Sequence, residues 1–519
     1  MERILSNIQD KLKSKLIKNL SNDNEGNMIL VDSNDKREIY DHYAESFLSA
    51  ALIKDGINDK DKYFDIGISL LKSLIARWDK IKNGNEFHND FNNFALCYIY
   101  ELLDNHTGDH KSYLIKIREM VLTTPDSNHD TINWLPMRIY VNSKRYEWTK
   151  DRKFIEHISI IEKIIEKSTY KDGLMDDIFP KGISYNPQYN ISTVSLLMFL
   201  KKRGFDYDIN QRVNSLLGTI INDGDINYFG RGTNQIFAWG YWFYLISSIS
   251  NIEDSVYYDK VVESYKFFDD RISNTIENSN IFLNDYEGKD KYLWWDYHYE
   301  SVYLSNLFFW LTMSIKGEND RKTLKTSQVF YSDSGIQKIN LKNFEVTLFK
   351  GRKKYLAEKG PIITSLSYSN FGVIYKGSFG PWNDTFGKKY SVNSITLRNF
   401  FGLLEVRTDK MLKSKILGKI KSSFNIKSYE RVRPIFVNVQ VGENEKFYTL
   451  TFSLNKKKHV VLNFPCMITN IDINSISLYN SEGKINLTRL GYFYNQYQLI
   501  TWYQSRAIYC DELTLTLKK

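Results

Sequence analysis

The chain has 519 residues, more than one hydrophobic core comfortably holds, and its 42% apolar and 25% charged residues are the balance of a soluble globular protein of two domains. Its net charge of +9 is uneven: residues 317–519 carry 32 Lys and Arg against 15 Asp and Glu, while the part before them carries 38 against 46. No run of about 18 apolar residues occurs, which excludes a membrane-spanning helix. No helix-turn-helix, finger or RNP-like pattern accompanies the basic half, so an acidic polysaccharide is a better expected partner than nucleic acid; a merely solvated lysine surface is the plain alternative.

The first half reads as helices. REIYDHYAESFLSAALI, KYFDIGISLLKSLIARWDKI, FNNFALCYIYELLDN, KSYLIKIREMVL and KFIEHISIIEKIIEKS space their apolar residues at three and four. TVSLLMFLKKRG, QRVNSLLGTII, QIFAWGYWFYLISSI, VVESYKFFDDRI and SVYLSNLFFWLTMSI continue the series, with polar turns such as DNHTGDH and NDGDIN between them. Ten or more helices joined by short turns, without a fixed repeat, predict hairpins packed into a curved or closed toroid whose groove is lined by loops at one end.

The pattern changes near KGENDRKTLKTSQ (316–328). FEVTLFKG, ITSLSYS, FGVIYKGSF, SITLRNFFGLLEVR, PIFVNVQVG, KFYTLTFSL, HVVLNF, ISLYN, YQLITWYQ and ELTLTLK alternate with period two and are rich in β-branched and aromatic residues. The expected fold is therefore α+β and multidomain: a helical (α/α) toroid over 1–316 that carries the catalysis, then an antiparallel β-sandwich over 317–519. The three cysteines, Cys97, Cys466 and Cys510, form no framework and no metal spacing, and are expected to be reduced. The amphipathic start MERILSNIQDKLKSKL lacks a signal peptide's apolar core, which points to the cytoplasm, or to secretion if a leader has been removed.

Aromatic residues make up 15% of the chain, enough to fill a core and also line a sugar-binding groove. Two stretches carry candidate chemistry: DGLMDDIFPKGISYNPQY (172–189) and NYFGRGTNQIFAWG (227–240). A phenol at Tyr189 and a guanidinium at Arg231 between two glycines form a base and a cation that favours its phenolate. The ordered set VNSKRYEW (141–148), DGLMDD (172–177), SYNPQY (184–189) and FGRGTNQ (229–235) resembles the hyaluronate, chondroitin and xanthan lyase family. The helical-plus-sheet layout also looks like heparinase II/III and alginate lyase relatives. That resemblance implies an incomplete helical toroid followed by β-sandwich domains, with Tyr189 as catalytic tyrosine, Asn142 as the amide that neutralises a uronate carboxylate, and Arg231 in the arginine segment.

The family's histidine falls on Pro180 here, so a catalytic histidine must come from elsewhere, with His298 and His88 as candidates. Breaking a uronic-acid chain by β-elimination removes the hydrogen α to a carboxylate, and the growing charge needs amide or cationic donors. Asn142 is one; Gln235 and Asn234 are others. Tyr185, Trp134, Trp294 and Trp295 are candidate sugar contacts. The expected activity is that of a carbon–oxygen lyase acting on an acidic glycan, without a cofactor and with no metal in the site, a structural divalent ion in the sheet domain being left open.

Each residue also has a plain structural reading. Tyr185 and Tyr189 pack one helical face, Asn142 caps a helix over 145–165, Arg231 pairs with Asp225, and His298 sits in an aromatic cluster. Three functional alternatives stand beside the lyase: a uronyl C5-epimerase, a glycan-binding protein without activity, and a toroid glycoside hydrolase. The last would draw its paired carboxylates from Asp172, Asp176 and Asp177.

Overall fold

The computed structural model describes residues 2–31, 43–57, 62–84, 88–127, 131–177, 186–229, 235–277, 300–316, 320–327, 329, 333–341, 344–349, 362–368, 372–377, 396–399, 438–467, 475–494 and 499–519. Helices occupy the N-terminal part: α1 (Glu2–Lys18), α2 (Tyr43–Gly56), α3 (Lys62–Ala76), the short α4 (Trp78–Gly84), α5 (Asn89–Asp104), α6 (Lys111–Thr123) and α7 (Leu135–Thr149). They continue as α8 (Lys153–Ser168), α9 (Pro187–Lys202), α10 (Asn210–Thr219), α11 (Phe237–Ser247), α12 (Tyr258–Glu277) and α13 (Glu300–Ile315).

Alternate helices differ in composition, and the difference decides where each one lies. Helix α8 buries Ile158, Ile161, Ile165 and Ser168 along one stripe and leaves its charged face in water. Helices α9 and α13, by contrast, are buried on nearly every side. The all-round buried helices form the inner layer, and their packing runs α2 on α5, α5 on α7, α7 on α9, α9 on α11, α11 on α13 and α13 back on α2. Among the described residues six inner helices thus close a ring; the helix pattern allowed a curved or a closed toroid, and the family resemblance had implied an incomplete one. The closing pair is α13 with α2, whose apolar faces complete each other's burial. The outer helices α1, α3, α6, α8 and α10 each back an inner one, and α12 packs on α1.

Every inner helix sends an aromatic ring into the middle of the ring. Phe94 of α5 lies 6.1 Å from Phe47 of α2, 5.4 Å from Tyr140 of α7, 5.1 Å from Phe199 of α9 and 6.0 Å from Trp310 of α13, between ring centroids. Trp310 in turn stands 4.5 Å from Tyr241 of α11. This aromatic plug fills the barrel's waist, and it makes much of the chain's aromatic content structural. Gly240 of α11 allows a close helix approach: a Cβ there would stand 3.0 Å from Trp310 Cβ and 3.1 Å from Leu307 Cα.

Two boundaries differ from the sequence reading. A helix expected over 145–165 is broken at Lys150, which adopts φ 58° and ψ 14° and whose N–H donates to the carbonyl of Tyr146, so α7 and α8 are separate antiparallel helices. A small hairpin of β1 (Leu20–Asn22) and β2 (Met28–Leu30) interrupts the helical part; its short strands give too little alternation to be read in advance.

Among its described residues the C-terminal part is built of strands and their connections. A four-stranded antiparallel sheet takes the order of the chain: β3 (Ile336–Leu341), β4 (Phe344–Phe349), β5 (Ile362–Tyr368) and β6 (Gly372–Lys376). The larger sheet contains β7 (Thr396–Asn399), β8 (Asn438–Glu443), β9 (Phe447–Cys466), β10 (Ile476–Asn480), β11 (Gly483–Ile485), β12 (Leu487–Tyr494), β13 (Leu499–Ser505) and β14 (Ile508–Lys518). Its path runs β11-β10-β14-β9-β13-β12, with β7 and β8 also paired to β9. KFYTLTFSL and HVVLNF, read as two strands, are one 20-residue strand, β9. Residues of both sheets share one apolar cluster, in which the rings of Phe344 and Tyr448 stack at 4.9 Å. Cys97, Cys466 and Cys510 are buried; Cys510 faces Lys458 and Cys466 faces Thr501 across the sheet, so the last two are not cross-strand partners.

A buried polar seam joins the four-stranded sheet to the loop between α10 and α11. Glu345 accepts from Lys260 Nζ at 2.8 Å and from the N–H of Asn222 at 3.1 Å, and lies 3.1 Å from Lys338 Nζ. Lys338 also donates to the carbonyls of Gly218 and Ile220. Lys376 bridges Asp223 at 2.5 Å and Asp225 at 3.0 Å. The sheet therefore grips the segment that leads into the inner helix α11.

Candidate active site

The starts of α2, α5 and α7 meet at one end of the ring. Ser46 Oγ of α2 donates to Asn92 Oδ1 of α5 at 2.8 Å, and Arg138 Nε of α7 donates to Asp90 Oδ2 of α5 at 2.9 Å. Burial pushes the Asp90 carboxyl up to about 6 against the attraction of Arg138. Above this layer the rings of Tyr43, His88, Phe91 and Trp134 cluster: Tyr43 to His88 is 5.0 Å, His88 to Trp134 is 5.9 Å and Phe91 to Trp134 is 5.4 Å. His88 and Trp134 are the residues that immediately precede α5 and α7, so the ends of two helices bring together two candidates that are 46 positions apart in the chain.

The acidic stretch reaches the same end by a tight reversal after α8. Tyr170 N donates to Leu174 O at 2.7 Å and Asp176 N to Ser168 O at 2.8 Å, a narrow turn that needs Gly173 at φ +86°. Asn190 of α9 clasps the next residue on both sides: its Oδ1 accepts from Met175 N at 2.8 Å and its Nδ2 donates to Met175 O at 3.0 Å. Beyond it, the carbonyl of Asp177 accepts from Ile132 N at 3.2 Å. Asp176 and Asp177 are thus held between the first turn of α9 and the turn that leads into Trp134, with 5% and 0% of their surfaces exposed. Asp172 is engaged elsewhere, since its Oδ2 accepts from Ser334 N at 2.9 Å and so ties the turn to the start of the sheet region.

Tyr189 occupies the first turn of α9, beside Asn190 and 6% exposed, and its N–H donates to the N-cap side chain of Asn186 at 3.3 Å. Asn142 does not cap a helix; it lies inside α7. Its amide nitrogen donates to Asp126 Oδ2 at 3.0 Å and to the Arg138 carbonyl at 2.9 Å, with His157 Nδ1 at 3.5 Å, and its oxygen accepts from Arg145 at 3.1 Å. These partners belong to α7 itself, to the α6–α7 connection and to α8. The amide is committed between the inner and outer layers, and a role on a sugar carboxylate would require it to leave them. Gln235, two residues ahead of α11, is 1% exposed. Arg231, Asn234, Tyr185, His298, Trp294, Trp295 and Pro180 lie outside the described residues.

Three features escaped the sequence reading. Gln188, at the second position of α9, is 0% exposed and neither atom of its amide has a hydrogen-bond partner among the described residues; the same holds for Gln235. The Asn190 clasp and the Asp90–Arg138 pair were also missed. A polar residue on a helix buried all round, as in PQYN, is the signal that exposes the first two, because a buried amide there must serve either structure or a ligand. Among the described residues no group of three His, Cys, Asp or Glu side chains is arranged to hold a metal ion, and no helix is long and apolar enough to cross a membrane.

No protein-family model and no curated protein matches the chain. Among solved structures it is similar to the GH76A α-1,6-mannanase from Salegentibacter sp. HEL1_6, with 13% identity over 60% of this chain and 99% of that one at a TM-score of 0.41. A possible GH105 family member from Salmonella enterica follows at 11% identity, over 61% of this chain and 94% of that one, TM-score 0.40. A structure described as a polysaccharide lyase aligns at 12% identity, over 60% of this chain and 97% of that one, TM-score 0.36.

Proposed function

We propose that the chain is a glycan-cleaving enzyme that works through carboxylates, a glycoside hydrolase, with its site at the end of the ring where the starts of α5, α7 and α9 meet. The observation that carries this reading is the placement of Asp176 and Asp177, which are buried and braced by Ile132 and Asn190. Hydrolysis of a glycosidic bond needs one carboxyl to protonate the leaving oxygen and a second to assist water or attack the sugar carbon. Two neighbouring carboxyls divide these two roles between them. Trp134 and His88, whose rings lie 5.9 Å apart at the same end, are the aromatic residues we assign to sugar contact.

Elimination is the second reading, because Tyr189 does stand in the first turn of α9. It asks Asn142 to reach the same sugar, and Asn142 is seven residues into α7, roughly 10 Å along its axis, with its amide engaged toward the outer layer.

The deciding experiment offers the protein a panel of neutral and uronate glycans and follows reducing ends together with absorbance near 235 nm. New reducing ends without absorbance support hydrolysis. Absorbance that rises with each cut, and that Tyr189→Phe abolishes, overturns it in favour of elimination.

A further inference from the structure

Gln188 of α9 and Gln235, two residues ahead of α11, stand at matching heights beside neighbouring inner helices. Ser195 Oγ of α9 donates to the carbonyl of Tyr241 in α11 at 2.8 Å, which fixes the register of the two helices. Gln188 is seven residues before Ser195, two helical turns along the same face, so it faces α11. Gln235 is six residues before Tyr241, at the corresponding level. Both side chains are buried, and both lack hydrogen-bond partners on oxygen and nitrogen among the described residues.

A buried amide without partners costs a protein about 1–3 kcal/mol per polar group, and such a cost persists where a ligand supplies the missing bonds. A primary amide presents a donor and an acceptor together. A hydroxyl, which also donates and accepts, satisfies both; an ionised carboxylate accepts only and leaves each amide oxygen unpaired. We infer that Gln188 and Gln235 are specificity-determining residues that bind the hydroxymethyl end of a sugar unit, the position at which a uronate carries its carboxylate, so that the site takes a neutral glycan rather than a uronate. This rests on the proposed glycan site at the same end of the ring.

The test substitutes each glutamine by methionine, which keeps the shape and removes the polar atoms. Melting temperature is measured without ligand, and affinity by calorimetry for cello-, malto- and manno-oligosaccharides and for oligogalacturonate. The expected result is a melting temperature equal to or above that of the unaltered protein in both variants, with affinity for a neutral oligosaccharide reduced at least ~10-fold. A fall in melting temperature in both variants shows that the amides serve the fold and overturns the inference. So does unchanged affinity, tighter binding of oligogalacturonate by the unaltered protein, or no binding of any neutral oligosaccharide. Neutral oligosaccharides bound in a glutamine-dependent way but never cleaved leave this inference standing and remove the hydrolase reading alone.

Discussion

The main-chain N–H of Ile132 donates to the carbonyl of Asp177 at 3.2 Å, joining the turn that starts α7 to the acidic segment that precedes α9. Through this bond two stretches 45 positions apart share one edge of the ring, and Asp176 and Asp177 come to the end where Trp134 and His88 pack. If these carboxylates perform the chemistry, Asp176→Asn and Asp177→Asn each reduce turnover by about 10²–10⁴-fold while circular dichroism and melting temperature stay near those of the unaltered protein. Tyr189→Phe leaves turnover within a few-fold. Full activity in both asparagine variants excludes the carboxylate mechanism.

Asn190 offers a separate handle on the same segment. Its side chain satisfies both the N–H and the C=O of Met175, so Asn190→Leu strands two buried backbone groups. The expected loss is about 2–5 kcal/mol of unfolding free energy, read by urea denaturation. Asn190→Asp keeps the acceptor for Met175 N and loses the donor to Met175 O, so it should cost less than leucine. Equal stability in all three proteins would mean that the clasp does not hold the acidic segment.

The layout of helices before strands was legible because inner and outer helices differ in composition: α8 carries a stripe of isoleucines, while α11 and α13 are apolar on every side. Whether the toroid is merely curved or closed was not legible, since nothing local to α13 says that its partner is α2, some 250 residues earlier. The candidate site divides in the same way. His88 and Trp134 were found from their residue types, and they meet because each immediately precedes an inner helix. Asn142 fits the motif order of a lyase, but a helix turns through about 100° per residue, and order alone does not say that its face of α7 looks outward to Asp126 and His157. Gln188 was passed over because a glutamine in the first turn of a helix is commonplace until its burial is known.

Gly224 lies in the loop that the sheet grips, at φ +86°, and a Cβ there would stand 2.2 Å from the carbonyl oxygen of Glu263. Gly204 has nearly the same φ, +89°, with nothing within 4 Å. Gly204→Ala should cost about 1 kcal/mol, the penalty of the left-handed conformation alone. Gly224→Ala adds a main-chain clash and should cost about 3 kcal/mol or more. Chemical denaturation of the two variants side by side separates strain from collision, and equal losses would show that the loop moves freely away from α12.

The Asn142 network makes a prediction that opposes the one for Asp177. Arg145 donates to Asp126 at 2.6 Å, to Asn142 Oδ1 at 3.1 Å, to Val121 O at 3.1 Å and to Thr124 O, so Asn142→Ala removes one member of a buried network and strands its neighbours. A loss of about 1–3 kcal/mol in stability is expected, with turnover of the folded protein within about threefold of normal. A variant that melts normally but has lost its activity would instead place Asn142 on the substrate and restore the elimination reading.

The seam between ring and sheet sets a pH dependence whose sign follows from Lys338. Burial, reinforced by the nearby Lys260, pushes its ammonium down to about 7, although Glu345 pulls the other way. In the unfolded chain the same group titrates near the ordinary lysine value of 10.5. Between these two values the unfolded chain binds more protons than the folded one, so the folded state gains stability as pH rises through that window and loses the gain as pH falls toward 7. Each unit of displacement is worth about 1.4 kcal/mol, enough to show in urea midpoints measured at pH 7 and pH 9.5. Lys338→Met removes the titrating group while Lys260 still pairs with Glu345 at 2.8 Å, so the variant's midpoint should change less between the two pH values than that of the unaltered protein. An identical pH slope in the two proteins would show that Lys338 keeps its proton in the seam and that Glu345 outweighs its burial.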